Sequence, residues 1–173
     1  MQVISSIKEQ LGDSVYYMPE PSLHITLLDW IAPLVDYEGK NKKELFTAIL
    51  PQYDAALRKI ISNHRVIDVT FNELHVAPTT IFLQGHDNGQ FQTIREEFLQ
   101  KVDLLPGTKM PPTIIHCSIG RFAKPSALQQ ARDCIASIPI QFTEKISSFR
   151  LVHTRKEPML DFEIVKEYQL RHM

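Results

Sequence analysis

Two short stretches repeat one pattern: an apolar residue, a histidine, an apolar residue, a Ser or Thr, and a further apolar residue. Leu23-His24-Ile25-Thr26-Leu27 is the first, and Ile115-His116-Cys117-Ser118-Ile119 is the second. A strand turns alternate side chains to one face, so each imidazole would lie beside a hydroxyl. With seven His and 43% hydrophobic residues in the chain, roughly 0.06 such windows would arise by chance. Two are present, and none of His64, His75, His86, His153 or His172 has a hydroxyl two residues on. A lone histidine in an apolar strand is ordinarily a satisfied core residue. Two of them, each with a hydroxyl, make more sense lining a wet cleft, because buried polar groups need partners.

Around these motifs the pattern is mixed. Residues 3–12 read as a short helix stopped by Gly12, and residues 15–18 as extended. Pro19 and Pro21 break the chain before residues 23–30, which are a strand by composition. Residues 41–63 have helical spacing through Leu45, Ile49, Leu57, Ile60 and Ile61, with Pro51 expected to split them into two helices. Residues 65–76 and 79–85 read as an antiparallel pair. Residues 89–105 make an amphipathic helix with Phe91, Ile94, Phe98 and Val102 on one side. The second motif strand spans 113–122, and a helix opened by Pro125 spans 125–138. Two long strands, 140–155 and 159–170, close the chain around a turn at 156–158. Strands outnumber helices and neighbours form hairpins. The expectation is a single α+β domain over residues 1–173, with mainly antiparallel sheets and helices packed outside.

Charge narrows the ligand. The net charge is −1, whereas a grip on long nucleic acid rests on a basic surplus that neutralises phosphates. Duplex DNA is therefore not an expected partner, and a small anion or the end of an RNA fits better. No apolar run is long enough for a bilayer span, and the N-terminus lacks the features of a signal peptide. Cys117 and Cys134 make no C-x-x-C and no disulfide framework, so they read as buried, reduced thiols. A cytoplasmic monomer with no membrane partner is expected.

Two imidazoles facing each other can divide general acid and general base work, because histidine titrates near neutral pH. Two hydroxyls beside them can donate to the charge that builds on a phosphate in its transition state. One His would activate water, or a ribose hydroxyl in the reverse direction, and the other would protonate the departing oxygen. That scheme needs no metal and no cofactor. A metal site would want a third ligand, commonly a carboxylate or Cys. No H-x-H or H-x-x-E-H is present, and Cys117 should face away from His116.

The two H-x-[T/S] strands, about ninety residues apart, resemble the signature of the 2H phosphoesterase superfamily, which includes LigT-like 2′-5′ RNA ligases and cyclic nucleotide phosphodiesterases. Residues 79–85 followed by 91–98 are similar to its segment between the motifs, and residues 140–155 to its closing strands. The resemblance implies a bilobal, pseudo-two-fold, LigT-like α+β fold with one motif from each lobe. It implies His24 and His116 as the catalytic pair and Thr26 and Ser118 as phosphate donors. The longer form H-x-[T/S]-x-x-R singles out Arg121. The substrate it implies is a cyclic or 2′-linked phosphate of a nucleotide or RNA 2′,3′-end. The alternatives are a non-catalytic nucleotide or RNA-end binder, a 2′-5′ RNA ligase and a metallohydrolase.

Period two governs the remaining candidates. Phe122 would share a face with His116 and Ser118, whereas Arg121 would face away and be structural or reach the cleft rim. Tyr16, Tyr17 and Trp30 flank the first motif, where a ring could stack on a base, although packing in the core is the ordinary role. Tyr17 stands as a further candidate for the cleft. Lys124 reads as solvated, and His75 and His86 as residues of a strand end and a turn.

Overall fold

The computed structural model describes residues 2–32, 34–122, 128–136, 138–156 and 159–172. In chain order the elements are α1 (Gln2–Leu11), β1 (Val15–Tyr17), α2 (Lys42–Ile61), β2 (Ile67–Val76), β3 (Thr80–His86), α3 (Gln90–Leu99), β4 (Ile115–Phe122), α4 (Leu128–Ile135), β5 (Phe142–Ile146), β6 (Ser148–Lys156) and β7 (Asp161–Gln169). Five strands form one sheet in the order β1-β4-β3-β2-β5, and β6 and β7 form a separate hairpin. The pairs β1/β4, β4/β3, β3/β2 and β6/β7 are antiparallel. This is the α+β, antiparallel architecture that the strand alternation predicts. No helix among the described residues is long and apolar enough to cross a membrane.

The chain divides into two units. One comprises Met1–Ile25, Val69–His86 and Ile114–Glu144; the other comprises Thr26–Asp68, Asp87–Thr113 and Lys145–Met173. The division falls inside the first motif. His24 and His116 belong to the first unit and Thr26 to the second.

In the first unit α1 packs on α4 and on β1. One face of the sheet is apolar, with Val15, Phe71, Ile81, Leu83, Ile115 and Cys117 all buried. Gly85 sits in the tightest part of that face. A Cβ there would lie 2.6 Å from Val69 Cγ1, 3.0 Å from Phe71 Cε1 and 3.2 Å from Ile115 Cγ2. Those three neighbours are themselves buried, so they have nowhere to retreat. Gly85→Ala should cost about 1–3 kcal/mol through overpacking. Chemical denaturation should show a lower midpoint at an unchanged slope; an unaltered midpoint would mean that the strand yields.

The second unit is organised around Trp30, which is 5% exposed. Its ring stacks on Phe46 and Phe98, at 6.3 and 6.5 Å between centroids, and meets Tyr53 edge-on at 5.4 Å. Trp30 is thus spent on the core. Toward the N-terminal end of α3, Phe91 meets Phe149 of β6 edge-on at 5.4 Å.

Local chemistry explains where the elements differ from expectation. Pro51 does not split α2, which runs unbroken for 20 residues. A proline in a helix strips the donor from the carbonyl four residues back; here that is Thr47, and both Thr47 and Pro51 are exposed. The freed carbonyl faces solvent, so the penalty is small. Helix α3 stops at Leu99, short of the expected 105, and beyond it the Tyr53 hydroxyl donates to the Asp103 carbonyl. The long closing strand is two strands, since Ser147 leaves the five-stranded sheet and its carbonyl accepts from the Leu170 N–H beside the β6/β7 hairpin. Residues 123–127, with Lys124 and the helix-opening Pro125, and residues 157–158 of the final turn lie outside the described residues.

Candidate active site

Strand β4 carries the second motif. Its burial alternates as a half-covered strand should: Ile115, Cys117 and Ile119 are buried, while His116 and Ser118 are half-buried. His116 faces Gln84 of β3, and Ser118 faces Phe82. The Phe82 ring meets the His116 imidazole edge-on, 5.7 Å between centroids and 72° between planes. The Nδ1 atom of His116 is out of solvent.

The alternation then breaks. Thr80 pairs with Arg121 and Ile81 with Gly120, but Phe82 pairs with Ser118, which makes Ile119 an extra residue on β4. Such a bulge reverses the facing of everything beyond it. A Cβ on Gly120 would lie 2.7 Å from Val15 Cγ1 and 3.9 Å from Ile81 Cβ, so Gly120 faces the apolar side. Arg121 therefore falls on the same face as His116 and Ser118, with Thr80 and Tyr16 opposite it. Phe122, opposite Val15, falls on the apolar face. Both expectations from strict period two are reversed. An isolated glycine within a strand pattern is the sequence signal of a bulge, and Gly120 carries it.

The same register decides the tyrosines. Tyr17 pairs with Gly120 on the apolar side, and its hydroxyl donates to the Ile7 carbonyl of α1 at 3.3 Å. Burial raises its pKa. Tyr17 is a packing residue, not part of the polar face. Tyr16, 48% exposed, takes the position beside Arg121.

The first motif lies alongside β4. Strand β1 covers β4 from Phe122 to Gly120, and the Met18 N–H continues the pairing to the Ile119 carbonyl. A short 3₁₀ turn, Glu20–Ser22, follows. His24 then comes beside Cys117, where its backbone draws the thiol pKa down. Burial outweighs it and pushes the Cys117 thiol up to about 11, so the thiol stays protonated and inert at neutral pH. His24 is thereby brought to the residue that separates His116 from Ser118. Its Nδ1 lies 2.8 Å from the Ser22 carbonyl. A carbonyl only accepts, so Nδ1 carries the proton and Nε2 keeps the lone pair in the neutral ring.

Residues 23–29 are not a strand, contrary to their composition. Arg95 supplies the reason. It is 1% exposed; its Nε–H donates to the Leu27 carbonyl and its Nη2–H to the Thr26 carbonyl, both at 2.8 Å. A guanidinium from α3 thus occupies carbonyls that a neighbouring strand would otherwise use. Burial draws the Arg95 pKa down, and its ring neighbour is Phe91, 5.6 Å from the guanidinium carbon. Sequence reading passed over Arg95, although it sits one position after Ile94 and four after Phe91. That is the spacing of a buried helix face.

Among the described residues, the hydroxyls of Thr26 and Ser118 and the Arg121 guanidinium make no hydrogen bond or ion pair. The groups that hold His24 and Thr26 act on the main chain and on Nδ1, away from the atoms that chemistry would use.

Residues 2–157 match the family model described as the 2′-5′ RNA ligase superfamily, a span that includes both motifs. Among solved structures, the PDE domain of MHV ns2 is similar at 16% sequence identity and a TM-score of 0.51, covering 84% of this chain and 82% of that one. No curated protein matches.

Proposed function

The chain belongs to the 2′-5′ RNA ligase superfamily, and from that premise we propose that it is a metal-independent phosphodiesterase acting on cyclic or 2′-linked phosphates of nucleotides or RNA ends. Membership carries phosphoester chemistry of the ligase or phosphoesterase kind, and the solved PDE domain has the same fold. The finer reading rests on one observation: the segment leading to His24 pairs with β4 through the Met18 N–H and the Ile119 carbonyl, next to Ser118 in the chain, with the His24 Nδ1–H committed to Ser22.

In the hydrolysis of a 2′,3′-cyclic phosphate, His24 Nε2 takes a proton from water as the water oxygen bonds to phosphorus. The bond from phosphorus to one ribose oxygen breaks, and His116 donates a proton to that oxygen. The product is a phosphomonoester. Thr26 and Ser118 donate to the non-bridging oxygens, and Arg121 adds a cationic fork on the same sheet face as His116.

The test is a substrate panel in the presence of chelator: nucleoside 2′,3′-cyclic phosphates, 2′-5′ dinucleotides and 3′-5′ dinucleotides. Turnover of the first or second class, and not the third, is expected. Tight binding without turnover across the panel would replace the reading with that of a nucleotide or RNA-end binder. Activity abolished by chelator and restored by metal would replace it with a metallohydrolase.

A further inference from the structure

The polar face of the first sheet continues beyond β4. Across β3 and onto β2 the register sets His116 beside Gln84 and Gln84 beside Glu73. It likewise sets Ser118 beside Phe82 and Phe82 beside His75. Glu73 binds two imidazoles: His75 Nε2 lies 2.9 Å from Oε2, and His86 Nε2 lies 2.8 Å from Oε1. The His75 ring stacks on Phe82 at 5.3 Å with 20° between planes. The cluster is open, since the side chains of His75, Glu73 and His86 are 41, 43 and 48% exposed. Among the described residues no group of three or more His, Cys, Asp and Glu is placed to hold a metal ion.

We propose that Glu73, Gln84 and the stacked Phe82–His75 pair form a nucleobase subsite that selects guanine. The proposal rests on the phosphodiesterase reading for the position of the phosphate, at His116 and Ser118. From β4 to β2 is two strand spacings, about 9–10 Å, which is the scale of a nucleotide from its phosphorus to the far edge of its base. The rings supply the surface on which a base lies, a contact that any base can make. The edge chemistry supplies the choice.

An ionised carboxylate only accepts, and each Glu73 oxygen keeps a lone pair beyond the one given to a histidine. The two imidazole bonds lower the Glu73 pKa, so the acceptor form persists. Guanine presents two adjacent donors, N1–H and the N2 amine, matched to a carboxylate in two charge-assisted bonds. Its O6 accepts from the Gln84 amide. Uracil sets carbonyl oxygens on both sides of its single N–H, which face the carboxylate unfavourably. Adenine offers one amine beside an acceptor nitrogen.

Titration calorimetry with guanosine, inosine and uridine 3′-monophosphates tests the subsite whether or not the protein turns over substrate. Each lost hydrogen bond to a charged group is worth about tenfold or more. Guanosine should therefore bind at least about tenfold tighter than inosine, which lacks only the amine, and tighter still than uridine. Glu73→Gln should collapse the guanosine-to-uridine ratio to near one, whereas His86→Ala, which keeps the carboxylate, should retain a preference. Equal affinities of the wild-type protein for the three nucleotides would overturn the proposal, even if Glu73→Gln failed to fold. Discrimination without turnover of any cyclic phosphate or 2′-5′ dinucleotide would overturn the phosphodiesterase reading alone; turnover without discrimination would overturn the subsite alone.

Discussion

His24→Ala and His116→Ala are each expected to lower turnover of a cyclic phosphate by about 10²–10⁴-fold, the worth of one general acid or base. The double variant should be little worse than either single one, because acid and base act as a unit and their losses do not add. The structure indicates how to keep folding out of the comparison. His24→Ala strips the donor from the Ser22 carbonyl, a net loss on the order of 1 kcal/mol. His116→Ala removes the edge contact with Phe82, worth about 0.5–1.5 kcal/mol beyond buried area. Neither approaches the stability of an ordinary domain, about 5–15 kcal/mol. Both variants should therefore melt cooperatively within a few degrees of the parent. His24→Asn is the sharper probe: its side-chain amide retains a donor for Ser22 yet cannot act as a base. Single-turnover rates and thermal melts decide the matter together. Variants that unfold would make the two histidines core residues, and variants that fold and turn over normally would remove them from the mechanism.

The motif pair was legible because it rests on residue identity and period two, both of which a linear chain displays. The α+β character and the hairpins were legible for the same reason. What escaped the sequence depends on partners distant in the chain. Arg121 and Phe122 exchanged faces because a single extra residue, Ile119, enters β4, and a bulge is invisible to a reading that assumes strict alternation. Residues 23–29 have a strand's composition but not its bonds, since Arg95 of α3 claims two of their carbonyls. Composition records what a segment prefers, and pairing depends on which donors reach it. Pro51 shows the converse: a strong local signal was overridden because the orphaned Thr47 carbonyl opens to solvent. The Glu73 cluster was partly visible: His75 lies one residue before the end of β2, whereas His86, expected in a turn, is the last residue of β3. Only the β2/β3 register reveals that one carboxylate ties them together.

Arg95→Met is expected to lower stability by about 3–5 kcal/mol, the cost of leaving two carbonyls without their charged donor. Methionine fills much of the same volume, so a cavity contributes little and the loss falls on the carbonyls. Leu27 is 8% exposed and Arg95 1%, so water cannot easily replace the guanidinium, and each abandoned buried carbonyl costs about 1–3 kcal/mol. For a chain of this length 1 kcal/mol corresponds to about 2–4 °C, which places the melting shift at roughly 6–20 °C. Arg95→Lys separates charge from geometry. An ammonium preserves the charge but not the planar fork that reaches two successive carbonyls, so an intermediate loss is expected. The consequence for chemistry follows from position, because the carbonyl that Nη2 holds belongs to Thr26 itself. If that bond orients the Thr26 hydroxyl toward a non-bridging oxygen, Arg95→Lys should change the preference between the two phosphorothioate diastereomers of a cyclic phosphate, and a lowered melting point alone could not produce that. A melting temperature unchanged in Arg95→Met would show that the segment after His24 holds its course without the guanidinium. An unchanged diastereomer ratio in Arg95→Lys would confine Arg95 to stability.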